Sequence, residues 1–172
     1  NDSLTFVPVF IEIEKPNKKM FNRDGTTTAE FNQALGQIHE WQYILKQSIN
    51  IQLLYDYFNL PLDIREMTFE PQYLLVYGRR AEYIGNKRMT GIRAANKTTN
   101  IDIMSYDRLR PISDYRQFVT CKVSGGLYTV KNISPTYRYR PDCAEELVKM
   151  QGFLSKIDLM KLTSDDRKKF LK

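Results

Sequence analysis

The segment Phe6–Glu14, read FVPVFIEIE, constrains this chain more than any other. Its aliphatic and β-branched content predicts a strand, and the strand ends in two carboxylates separated by a single isoleucine. Side chains alternate along a strand, so Phe10, Glu12 and Glu14 share one face while Val9, Ile11 and Ile13 share the other. The two carboxylates then stand about 7 Å apart at their β-carbons. Paired negative charges ending an apolar strand are costly to desolvate unless something neutralises them. Raised pKa values would answer that need, and so would a divalent ion, because Mg²⁺ is held by one or two carboxylates together with water and phosphate oxygens. The alternative is an edge strand whose last turn is wet, with Glu14 paired to Lys15 or Lys18.

Other chemistries are removed by what the chain lacks. His39 is the one histidine among 172 residues, so no two-histidine metal site, HD-type phosphohydrolase or zinc protease can be built. Cys121 and Cys143 have no histidine near them, which excludes a zinc finger; they read as two buried thiols or as one disulfide. No apolar run approaches the roughly 18 residues of a membrane span. A soluble domain in the cytoplasm, with no membrane partner, is therefore expected.

The charge is unevenly spread. Lysines and arginines number 26 against 20 acidic residues. Between Arg79 and Arg110 lie eight basic residues (Arg79, Arg80, Lys87, Arg88, Arg93, Lys97, Arg108 and Arg110) and three acidic ones (Glu82, Asp102 and Asp107). That one stretch carries nearly all the excess, and a localised positive field favours polyanions, nucleic acid first. Solubility alone is the plainer explanation of the same charge.

Along the chain, Lys15–Gly25 reads as a polar loop closed by Asp24-Gly25. Thr27-Thr28-Ala29-Glu30 has capping-box spacing with Thr27 as N-cap. The helix that follows runs to about Tyr57 with a break near Gln47–Asn50, and Phe31, Ala34, Leu35, Ile38, Trp41 and Leu45 form its apolar stripe. Gln72–Tyr77 reads as a buried central strand stopped by Gly78, and Ile101–Met104 as another. Asp107–Leu109 starts a short helix. Phe118–Val123 and Leu127–Ile133 form a hairpin about Ser124-Gly125-Gly126, and Asp142 caps a helix from about Ala144 to Leu162, with one more turn near Arg167–Leu171. This order predicts an α/β fold around a mixed central sheet flanked by helices, with a boundary near Pro111. Gln37 is polar beside the stripe. Either it is a buried amide that orients a metal-bound water or phosphate oxygen near Glu12, or it is a surface glutamine.

The stretch FIEIEKPNKKMFNRDGTTTAEFNQALGQIHEW, continued in YLLVYGRR and NIDIMSYDRL, resembles the nuclease domain of the Shedu anti-phage defence family across residues 6–110. The shared elements are E-x-E-K-P, the Asp24-Gly25 turn, the helix A-E-F-x-x-A-x-x-Q-x-x-x-W, a strand ending in G-R-R, and Tyr106-Asp107. The resemblance implies a PD-(D/E)XK nuclease-like core at residues 1–110 lacking its first strands, a C-terminal hairpin-and-helix extension at 111–172, and a longer native protein with a further N-terminal domain. It also implies a Mg²⁺- or Mn²⁺-dependent DNA endonuclease, acting as a homo-oligomer, a tetramer, in a bacterial cytoplasm.

Carried over by motif, Glu12 takes the (D/E) place as metal ligand. Glu14 stands where most such nucleases have lysine, and joins the metal shell or accepts a proton from the attacking water. Lys15 lies one residue out of register. Gln37 and Trp41 match a Q-x-x-x-Y element with tryptophan for tyrosine. Asp2 is the candidate for the upstream aspartate. Arg79 and Arg80 would clamp phosphates, Arg79 foremost, while Lys87, Arg88, Arg93 and Lys97 would track the backbone. Arg138 and Arg140, interleaved with Tyr137 and Tyr139, suit stacking plus phosphate contact, or else flank rings packed on the extension. Tyr106 and Asp107 read as structural, a packed ring and an N-cap. The rival to catalysis is a nuclease-fold module that only binds nucleic acid or assembles; a glycosidase is disfavoured, because two same-face glutamates on one strand do not flank a sugar.

Overall fold

The structure is a computed structural model that describes residues 4–109, 119–133 and 149–158. The chain divides into two compact units, one of Asn1–Gln52 with Pro61–Arg110 and the other of Leu53–Leu60 with Pro111–Lys172.

In the first unit the expected opening strand is split. β1 (Thr5–Phe6) pairs in parallel with β3 (Thr68–Phe69), and β2 (Val9–Ile13) pairs in parallel with β4 (Gln72–Val76). Val7-Pro8 separates them, since proline has no N–H to give a ladder. β4 pairs in turn with β5 (Ile101–Met104), giving the order β2-β4-β5. The chain is mixed α/β, but this central sheet is parallel throughout and not mixed: helical segments carry the chain back between its strands, as parallel pairing requires. Antiparallel strand pairing occurs in the second unit.

Helix α1 (Ala29–Ile44) covers one face of the sheet. Its stripe is as periodicity requires, with Phe31, Ala34, Leu35 and Ile38 buried and Trp41 and Leu45 packed against them. They meet Tyr73, Leu75 and Tyr77 from β4 and the residue after it, and Ile101 and Ile103 from β5. The N-cap is Thr28, not Thr27. Its Oγ1 accepts from the Phe31 amide at 3.2 Å, while Thr27 is held in an antiparallel bridge to Phe21. The break falls at 45–47, before α2 (Ser48–Tyr57), where the Ile44 carbonyl accepts from the Gln47 amide at 3.2 Å and from Asn50 Nδ2 at 2.9 Å. Helix α3 is a short piece at Leu62–Arg65. Helix α4 (Lys87–Ala95), capped by the Asn86 side chain, was not foreseen from sequence.

In the second unit β6 (Val119–Ser124) and β7 (Leu127–Ile133) form the expected hairpin. Val130 and Ile133 bury against Phe153 of α5 (Phe153–Asp158). The predicted last helix is interrupted at 150–152, between a helical Lys149 and α5, because Gln151 pairs with β7 and Gly152 turns at φ +79°. Cys121 is a half-buried free thiol; Cys143, Asp142 and the expected final turn lie outside the described residues.

Candidate active site

The covered face of β2 is the one that carries the carboxylates. Phe10, Glu12 and Glu14 are half-buried, while Val9, Ile11 and Ile13 stay 56%, 49% and 63% exposed. Glu12 is in register with Leu75, and the Glu14 amide donates to the Val76 carbonyl at 3.1 Å, so the ladder continues past β2. The Phe10 ring stacks on Tyr73 at 5.6 Å and meets Trp41 at 6.5 Å, beside a shallow apolar hollow of about 220 Å³ lined by Phe10, Trp41, Ile44 and Leu45. At the other end of α1, Glu30 acts electrostatically on Lys18, the partner of Glu14. Strand and helix thus run antiparallel.

The two carboxylates differ in their company. Glu14 Oε2 pairs with Lys18 Nζ at 2.7 Å, with Glu14 19% and Lys18 33% exposed at the side chain. Of the two cations weighed for Glu14, Lys18 takes the place, and the carboxylate raises the Lys18 ammonium above its ordinary pKa. The backbone of Glu14 is fixed as well, since the Tyr106 hydroxyl donates to its carbonyl. The Glu12 side chain has no hydrogen bond or ion pair among the described residues, and its carboxylate oxygens are not among the buried unpaired atoms, so they stay open to an incoming ligand.

Gln37 is exposed and not a buried amide: the α1 stripe turns its neighbours Ala34 and Ile38 inward and leaves position 37 on the outer side. Lys15 is exposed, with its carbonyl accepting from Lys18 in a tight turn. Asp2 lies outside the described residues. No group of three or more His, Cys, Asp or Glu that could hold a metal occurs among the described residues. Two carboxylates on one face still match what Mg²⁺ takes from a protein when water and phosphate complete its shell.

The three parallel strands end side by side, the usual place for a ligand in an open parallel sheet. Glu14 follows β2, Arg79 follows β4 and Tyr106 follows β5. Arg79 lies over the Tyr106 ring at 5.5 Å and reaches Asp107 at 3.5 Å. Asp107 also accepts from the Arg80 amide, and this bond, with Arg79 nearby, holds its carboxyl below the ordinary aspartate pKa. Asp107 is not the N-cap expected of it: it lies inside the turn Tyr106–Arg108, which starts from Ser105, and its carboxylate instead accepts from the Arg80 amide, while Tyr106 holds the Glu14 carbonyl.

The basic stretch divides. Arg79, Arg80, Lys87 and Arg88 are exposed, and Arg88 donates to the Asp24 carbonyl at 3.2 Å. Lys97 pairs with Asp102; burial opposes ionisation of that aspartate, but the bonds from Lys97 and the Ile103 amide outweigh it and lower its pKa. Arg93 is only 9% exposed. It donates to the Ile103 carbonyl and lies 5.1 Å over the Tyr83 ring, so it does not face solvent to follow a phosphate backbone. The charge pattern missed this because α4 supplies few apolar residues, and the arginine packs where an aliphatic side chain would be expected. Replacing Arg93 with alanine is expected to destabilise the protein by about 2–3 kcal/mol, the range for losing a charged hydrogen bond to a buried acceptor, in urea unfolding. DNA affinity measured on the folded variant is expected to stay at the wild-type value. Arg138 and Arg140 lie outside the described residues.

A family model described as Shedu protein SduA, C-terminal, matches residues 2–110. No curated protein and no solved structure matches the chain.

Proposed function

The chain belongs to the Shedu SduA C-terminal family, a family of anti-phage defence, and from that premise we propose that it is a metal-dependent endonuclease that hydrolyses DNA phosphodiester bonds. The observation that carries this reading is Glu12: a half-buried carboxylate with no partner, on the helix-covered face of β2 and two residues from Glu14. No side chain among the described residues neutralises it, and a ligand cation would fill that place.

Glu12 and Glu14 would hold Mg²⁺ or Mn²⁺, with Asp2 as a candidate third ligand. Bound there, the ion supplies Lewis-acid activation of the phosphate and a lowered pKa for its water. The chain's own residues do the rest. Glu12 and Glu14 are held in the β2 ladder, so the carboxylates keep a fixed spacing. Glu14, two residues along on the same face, would either complete the metal shell or receive the proton lost by an attacking water. Arg79, steadied by Tyr106 and Asp107, presents its guanidinium at the carboxyl end of the sheet, where it would take a phosphate through two parallel hydrogen bonds. Lys87 and Arg88 extend the positive surface and give binding that reads no sequence. We place the core among the PD-(D/E)XK nucleases on the same grounds of strand, helix and acidic pair, with DNA and further copies of the chain as its partners.

A second reading has its own support: Lys18 occupies Glu14, as in a nuclease-fold module that binds nucleic acid without cutting. Plasmid DNA incubated with the protein and Mg²⁺ or Mn²⁺, beside a Glu12→Ala variant, decides between them. Nicking or linearisation by the wild type alone is expected. Equal, background-level products from both would end the catalytic reading.

A further inference from the structure

Lys18 is not a loosely held surface lysine. Its amide closes a turn onto the Lys15 carbonyl at 3.1 Å. Its own carbonyl lies 3.3 Å from where a β-carbon on Gly78 would sit, and Gly78 has φ +62°, so only glycine lets the two backbones approach this closely. The next carbonyl, of Lys19, accepts from Thr28 Oγ1 at 2.7 Å and from the Tyr77 hydroxyl at 3.5 Å. A local turn thus fixes the backbone before Lys18, and buried residues fix it at and after Lys18. From that anchored position its ammonium reaches Glu14 at 2.7 Å, with Glu30 and Tyr77 also acting on it.

We infer that Lys18 is a resident counter-ion on Glu14 that an incoming divalent ion must displace, so that this lysine sets the metal concentration at which the site loads. The inference rests on the metal reading of Glu12 and Glu14 and adds a regulating residue to it. A carboxylate cannot give the same oxygen pair fully to an ammonium and to a metal, and two cations sharing it repel each other. With Lys18 in place, Glu12 is the open ligand and Glu14 the guarded one. The ion therefore competes with a tethered cation whose local concentration does not change, and weak loading is the consequence. Freed from Glu14, the ammonium stays within the acidic surroundings of Glu30, so displacement does not strand it.

Direct binding of Mn²⁺, read by electron paramagnetic resonance of the free ion, tests this without any cleavage assay. Lys18→Met keeps the length and removes the charge; Lys18→Arg keeps the charge. Methionine is expected to tighten Mn²⁺ binding by roughly two- to fivefold, the range for one partly exposed ion pair, and arginine to leave it near the wild type. In a Glu14→Gln background the Lys18→Met effect is expected to vanish, because the two residues then have nothing to compete over. Unchanged or weaker binding in Lys18→Met overturns the inference, provided that Glu12→Gln weakens Mn²⁺ binding; the metal reading then survives alone. If Glu12→Gln changes nothing in either the wild type or Lys18→Met, the metal reading is overturned and the inference falls with it.

Discussion

Glu12→Gln is expected to lower the rate of plasmid cleavage by about 10²–10³-fold, the loss seen when one charge-stabilising group is taken from a preorganised site. The exchange changes charge and almost nothing else. Glutamine fits the same half-buried place beside Leu75, and no ion pair or hydrogen bond among the described residues is broken by it. Stability is expected to hold, since the exchange removes no partner of that side chain. DNA affinity without metal is expected to be kept, because the exchange removes a negative charge facing a polyanion. A variant that cuts as fast as the wild type would show that Glu12 has no part in the chemistry. A variant that cuts slowly and also melts early would point to folding instead.

Phe31→Ala is expected to destabilise the protein by about 3–5 kcal/mol, the range for emptying a buried aromatic site. Phe31 is fully buried and meets the Tyr77 ring edge-on at 5.2 Å and 79°. Deleting it removes the contact area and leaves a void that α1 and β4 cannot both close. Urea unfolding of the first unit measures the loss, and thermal melting is expected to drop by roughly 10 °C for a chain of this size. A shift below about 1 kcal/mol would mean that the void is refilled. Since the Tyr77 hydroxyl donates to the Lys19 carbonyl, the same change is also expected to loosen the turn that holds Lys18.

Elements ruled by local periodicity were legible in the sequence. The stripe from Phe31 to Leu45 has a 3.6-residue spacing that only a helix can bury on one side. The run Gln72–Tyr77 is continuously apolar, the pattern of a buried parallel strand, and it is the centre of β2-β4-β5. Elements ruled by distant partners were not. Helix α4 has Met89 and Ile92 packed against the core and fills the next place with Arg93, so its apolar pattern is too thin to read. Thr27 and Thr28 are equivalent caps by composition; a bridge to Phe21 decides for Thr28. The central sheet was expected to be mixed because strand direction depends on how the chain returns between strands, which no window of residues records.

The site divides in the same way. Sequence alone determined that Glu12 and Glu14 share a face, because the pleat repeats every two residues whatever surrounds it. It could not determine which face is covered. Hydrophobicity along Val9–Ile13 favours burying Val9, Ile11 and Ile13, yet α1 packs on the opposite side and leaves those three open. That choice belongs to the tertiary structure, where the whole apolar stripe of α1 must meet Tyr73, Leu75, Ile101 and Ile103 at once. The summed burial of that interface outweighs the preference of three residues on one edge strand.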